Sequence, residues 1–163
     1  DARTDVVGRR ARGLEGDGMN EIVVGVDGSE TARRAARKAA DLAVACGVGL
    51  HLVTTVRKAG ATGRQGTGNV RIDSLAAGEQ LLASIKLVLP GDPITTSVQT
   101  GDPATVLCEE AKRLDARMIV VGNRRVQSAA RVLGAIATDV ARHAHCDVLI
   151  AHTNVDDAGD VTS

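Results

Sequence analysis

The chain contains no Phe, Tyr or Trp. Proteins that hold single-stranded nucleic acid normally stack its bases on aromatic rings, so that function class loses its usual means here. An excess of one charge is missing too, because Lys plus Arg and Asp plus Glu each number 20. A balanced chain has no broad electrostatic pull toward nucleic acid or an anionic membrane surface. No apolar run is long enough for a membrane-spanning helix, and the N-terminal segment lacks the apolar stretch of a secretory leader. The expected setting is therefore cytoplasmic, with neither nucleic acid nor membrane as partner. Cysteine is scarce: Cys46, Cys108 and Cys146 are odd in number and far apart. They are expected as reduced core or near-core thiols, not as a disulfide framework. The four histidines, His51, His143, His145 and His152, show no metal-ligand spacing. They are expected in structural or surface roles, with no metal site, and His143 and His145 are expected on different faces of a helix.

What is present is aliphatic. Of 163 residues, 44% are apolar and 25% charged, which suits one soluble domain with a core of Val, Leu, Ile and Ala. Residues 1–18 are polar and rich in Gly and Arg and are expected as a flexible extension. Residues 19–153 form the domain, and 154–163 a C-terminal tail.

Within the domain, strand and helix patterns alternate. Ile22–Val26 is a β-branched run that ends in Asp-Gly-Ser. A helix over Thr31–Cys46 follows, with Ala32, Ala35, Ala36, Ala39, Ala43 and Cys46 on its apolar face. Ser29 can cap it, and Gly47 and Gly49 flank its end. Leu50–Val56 reads as a second strand and 57–69 as a loop. A second helix is expected from about Val70 to Leu89, with Leu75, Leu82, Ile85 and Leu89 at helical spacing and Gly78 a mild cost of about 1 kcal/mol. Ile94–Gln99 is a third strand. Asp102 and Pro103 start a helix as cap and first helical residue, which buries Leu107, Ala111 and Leu114. Met118–Val121 is a fourth strand, 122–131 a polar loop, and Leu133, Ile136, Ala137, Val140, Ala141 and Ala144 mark a last helix. Val148–His152 closes the series. Short apolar strands alternating with amphipathic helices predict an α/β fold: a doubly wound five-stranded parallel sheet, order 3-2-1-4-5, with two helices on each face. Such folds bind ligands beyond the carboxyl ends of the strands, where strand order reverses. That directs attention to the ends of the first and fourth strands.

At the first of these ends stands Asp27, which can brace its own turn or accept hydrogen bonds from a ligand's amine or ribose hydroxyls. The turn has no Gly-x-Gly-x-x-Gly, so a dinucleotide fingerprint is absent. At the second, Gly122-Asn123-Arg124-Arg125 is either a solvated loop or a phosphate contact, with bare backbone at Gly122 and two guanidinium groups. Gly134 and Ala135 are small residues at the next helix start, where they serve helix–sheet packing or leave free N–H groups for an anion.

Four stretches carry a family resemblance. Ile22-Val23-Val24-Gly25-Val26-Asp27-Gly28-Ser29-Glu30 resembles the opening strand and turn of universal stress proteins. Gly101-Asp102-Pro103-Ala104 is similar to the start of that family's third helix. The run from Asp115 to Arg124 resembles its fourth strand and loop, and that from Asp139 to Ile150 its closing helix and strand. The resemblance covers about residues 20–153. It implies a regulatory protein of stress adaptation that binds an adenine nucleotide, whether ATP, AMP or cyclic AMP, with or without magnesium. Asp27 would then meet adenine or ribose, and Val26 and Thr55 would border the base. Val121, Gly122, Asn123, Arg124 and Arg125 would form the phosphate loop, and Gly134, Ala135 and Ile136 the helix start beside it.

The loop departs from the family pattern of Gly, two residues, Gly, nine residues, Gly, then Ser or Thr. Arg125 stands in place of the second Gly, eight residues separate it from Gly134, and Ala135 replaces the hydroxyl. These departures imply weak binding. The alternative is a dimeric stress protein without a nucleotide that acts through an unknown protein partner. The resemblance also implies a homodimer through the last strand, residues 147–152, an apolar segment expected at the sheet edge. No general base, nucleophile pair or metal cluster stands out, so no enzyme is expected beyond weak ATP hydrolysis. The loop of an ATP pyrophosphatase and the acidic cluster of a phosphoacceptor receiver are both missing.

Overall fold

The apolar runs expected as strands all pair in parallel. A computed structural model of the chain describes residues 21–57, 74–123 and 133–153. Its elements are β1 (Ile22–Gly25), α1 (Glu30–Cys46), β2 (Leu50–Val56), α2 (Leu75–Lys86), β3 (Ile94–Thr100), α3 (Pro103–Arg113), β4 (Met118–Asn123), α4 (Ala135–His143) and β5 (Asp147–His152). The sheet runs β3-β2-β1-β4-β5, as expected. The expected extension 1–18, the loop from residue 58, residues 70–73 of the second helix, Arg124, Arg125 and the tail lie outside the described residues.

Strand alternation sorts the core into two layers. Ile22, Val24, Leu50, Leu52 and Val120 face α1 and α2 and meet the α1 alanines with Leu82 and Ile85. Val23, Val53, Ile119 and Val121 face the other way and meet Leu107 and Ala111 of α3 with Ala137 and Val140 of α4. Local chemistry sets the helix ends. Ser29 Oγ accepts from the Ala32 N–H at 3.2 Å, and Gly47, at φ 67°, closes α1 in the left-handed region. Asp102 accepts from the Thr105 N–H at 3.0 Å, with Pro103 next in line.

Several apolar positions that marked the expected elements lie outside the core. Cys46 is exposed, because it is the last residue of α1, and Ala40 is buried on the inner face instead. Cys108 and Cys146 are half-buried, as expected, and burial is the main cause that pushes both thiols up in pKa. Leu75 is 57% exposed: it is the first residue of α2, and contact with the sheet starts one turn later at Gly78. Leu133 and Ile136 are exposed at the start of α4, so inward packing there rests on Ala137 and Val140. Ala141 is exposed as well. Gly78 does more than weaken a helix. A Cβ there would lie 2.8 Å from Val98 Cγ1 and 3.3 Å from Thr54 Cγ2, so the missing side chain lets α2 sit close on β2 and β3. His145 follows the end of α4, so it shares no helix with His143.

His51 is buried in β2. Its Nδ1 lies 2.7 Å from Thr95 Oγ1 and its Nε2 3.0 Å from Glu110 Oε2. Glu110, on α3, is buried too and takes two hydrogen bonds from Arg113, Nε to Oε1 at 3.0 Å and Nη2 to Oε2 at 2.8 Å. This network pins α3 to β2 on the side of the sheet that also carries Val53.

Candidate functional site

Strand order reverses between β1 and β4, and a cavity of about 560 Å³ opens at their carboxyl ends. That size suits a small organic ligand. Three pieces of backbone build it. After β1, the chain passes Val26, whose N–H donates to Val53 O at 2.8 Å, and turns through Gly28 at φ 82°. A residue with a Cβ resists that φ, which explains the glycine. The turn leads to Ser29, which starts α1 and so fixes Asp27 at the mouth. Asp27 Oδ1 accepts from the Ser29 N–H at 3.0 Å. The carboxylate thus braces its own turn with one oxygen, and its other oxygen accepts no hydrogen bond from the described residues.

β4 brings Val121 and Gly122 to the cavity. Gly122 is required by packing: a Cβ would stand 2.9 Å from Thr31 Cγ2 and 3.2 Å from Thr31 O. The first turn of α1 therefore crosses β4 at backbone distance. Across the opening, α4 starts at Gly134, which makes no side-chain cap. A Cβ on Gly134 would meet nothing within 4 Å. Helix–sheet packing thus does not account for this glycine, and the first N–H groups of α4 are left without a side-chain partner. Such a helix start favours an anion.

Of the residues expected at a ligand site, Val26, Asp27, Thr55, Val121, Gly122, Gly134, Ala135 and Ile136 line this one cavity. Asn123 does not line it. Asn123 pairs with His152 in the sheet, and its carbonyl accepts from Thr153 Oγ1 at 2.9 Å. Arg124 and Arg125 lie outside the described residues. The sequence reading missed Arg57, placed there in a loop, and the start of α3 at Gly101 and Pro103, which also line the cavity. Among the described residues no cluster of three or more His, Cys, Asp or Glu could hold a metal ion, and no helix is long and apolar enough to cross a membrane.

Residues 19–152 match the model of the universal stress protein family. The chain belongs to that family. Universal stress protein Rv2624c of Mycobacterium tuberculosis is 32% identical over 142 residues, which cover 85% of this chain and 50% of the relative. The chain thus spans about half the length of that mycobacterial protein. Among solved structures, a universal stress protein in complex with cAMP superposes with a TM-score of 0.63 at 29% identity, over 83% of this chain and 98% of the other. The Archaeoglobus fulgidus universal stress protein in complex with dAMP does so with a TM-score of 0.57 at 26% identity, over 80% and 95%.

Proposed function

We propose that this universal stress protein is a regulatory protein of stress adaptation that binds an adenine nucleotide in the cavity at the ends of β1 and β4. One observation carries the reading: the cavity joins a carboxylate with a spare oxygen, Asp27, to an uncapped helix start at Gly134. A nucleotide has donors and an anion at matching ends. Asp27 would accept from ribose hydroxyls or the adenine amine. Val26 and Thr55 would flank the base. Gly122, with its bare backbone, and the N–H groups of Ala135 and Ile136 would take the phosphate. The similar structures with cAMP and dAMP support this ligand class. ATP with magnesium belongs to the same class, the ion then being held mainly by the phosphates, since the described residues have no acidic cluster for it.

Binding is expected to be weak, because Ala135 brings no hydroxyl to the phosphate and no aromatic ring is available to the base. Calorimetric titration with AMP, cAMP and ATP checks this. Asp27→Ala is expected to weaken every adenine ligand about 10-fold, the loss of one charge-assisted hydrogen bond. A chain without Trp or Tyr scarcely absorbs at 280 nm, so a nucleotide that co-purifies would dominate the near-ultraviolet spectrum. Absence of heat with all three ligands at millimolar concentration would favour a stress protein that acts through protein partners alone. Ala135 is the observation on that side.

A homodimer through β5 is part of the same proposal. β5 lies at the sheet edge with one neighbour, β4, and its Leu149 is 37% exposed. An unpaired edge invites a second copy about a two-fold axis. Light scattering at micromolar concentration is expected to give twice the chain mass, and a folded Leu149→Pro variant a monomer, because Pro removes a ladder donor. A monomeric wild type would refute the dimer.

A further inference from the structure

Arg57 follows β2 directly, and Val53, Thr55 and Arg57 succeed one another at two-residue spacing, hence on one side of the chain. That side faces α3, because Val53 belongs to the core layer of Leu107. All three residues line the cavity, where Arg57 is the one cation and Asp27 the one acid among the described lining residues. Arg57 is exposed, and no hydrogen bond or ion pair from the described residues holds its guanidinium. Its place in the sheet matters. β2 and β4 stand on either side of β1, so their axes are about 10 Å apart. A phosphate seated at Gly122 and the start of α4 would therefore lie two strands away from Arg57, and a base bordered by Val26 and Thr55 would lie on the β2 side, nearer to it.

We infer that Arg57 stacks its guanidinium plane on the base of the bound nucleotide; the inference rests on the nucleotide reading above. The chain offers the base no aromatic ring. One face of a base can rest on the aliphatic floor that Val26 and Val53 provide. The other face needs a flat, weakly hydrated group, and guanidinium is the planar side chain that stacks on aromatic faces. A position at the rim, just past the strand, lets this side chain fold over the ligand after it enters. Lys has the charge without the plane, so it would not serve.

Calorimetric titration of wild type, Arg57→Ala and Arg57→Lys with adenosine and with AMP tests this. Arg57 is exposed, so both variants are expected to keep the wild-type thermal midpoint. Arg57→Ala should weaken adenosine and AMP by the same factor, about 3- to 30-fold, and Arg57→Lys should recover little of it. If AMP weakens while adenosine does not, and Lys restores AMP, then Arg57 contacts phosphate and the inference is overturned. Unchanged affinities for both ligands in Arg57→Ala would overturn it as well, with the nucleotide reading intact. A wild-type chain that binds neither ligand overturns the nucleotide reading and this inference together.

Discussion

Replacing Glu110 with Ala is expected to lower the unfolding free energy by about 2–3 kcal/mol. The two partners of Glu110 respond differently. The Arg113 side chain is 57% exposed and can return to water, so its loss of a partner costs little. His51 has a 5% exposed side chain, and its Nε2 would be left in the core with no acceptor. That orphaned group dominates the cost, and Arg113→Ala should accordingly cost only about 1 kcal/mol. The effect also depends on pH. The Arg113 hydrogen bonds hold the Glu110 carboxyl below its ordinary pKa; burial opposes this, and the His51 hydrogen bond adds to it. A depressed folded pKa gives stability that is complete above the unfolded carboxylate value of about 4.3. That stability is lost as pH falls through the folded value. Urea unfolding at neutral pH and near pH 3 should therefore show the wild type losing more stability on acidification than Glu110→Gln. Equal losses would mean that the carboxylate is not what the network stabilises.

The alternation of strands and helices was legible because each element carries its own period and its own stop. Ser29, Gly47 and Asp102 with Pro103 mark ends by local hydrogen-bonding chemistry, and local chemistry is what a linear sequence displays. The His51–Glu110 pair was not legible, since 59 positions separate the two and neither sits in a motif. The value of Gly78 was hidden for a similar reason: it sits on α2, and its neighbours Val98 and Thr54 come from two strands, β3 and β2. Cys46 and Leu75 fit an apolar stripe by spacing alone, yet both stand at helix termini, where the stripe outruns the surface it covers. At the cavity, Asp27 and Gly122 could be singled out because they end strands beside the reversal of strand order. Arg57 could not, because a loop residue has no visible partner. One signal was there to use, namely that Val53, Thr55 and Arg57 continue the two-residue spacing of β2 beyond its last residue.

Gly122→Val is expected to cost both stability and ligand affinity. The two effects share one cause. The Cβ of any larger residue would stand 2.9 Å from Thr31 Cγ2, 3.2 Å from the Thr31 carbonyl oxygen and 3.4 Å from Ala35 Cβ. Thr31 Cγ2 can turn away, but the Thr31 carbonyl oxygen is backbone and cannot. The two further methyl groups of valine add to the crowding, so the first turn of α1 must give way from β4. Overpacking of this kind costs about 1–3 kcal/mol, and a branched side chain belongs at the upper end. Thr31, Ser29 and Asp27 are consecutive parts of one turn, and all three line the cavity with Gly122. Displacing α1 therefore shifts Asp27 relative to the start of α4. AMP affinity should fall more than 10-fold in Gly122→Val, measured by calorimetry on protein shown to be folded. Gly134→Ser is the matched control. Its backbone, at φ −61° and ψ 157°, suits a serine cap, and a Cβ there meets nothing within 4 Å. Its stability should stay within about 0.5 kcal/mol of wild type or rise slightly. A Gly122→Val protein with wild-type stability would show that α1 does not rest on β4 as closely as these distances require, and the cavity would then lack its near wall.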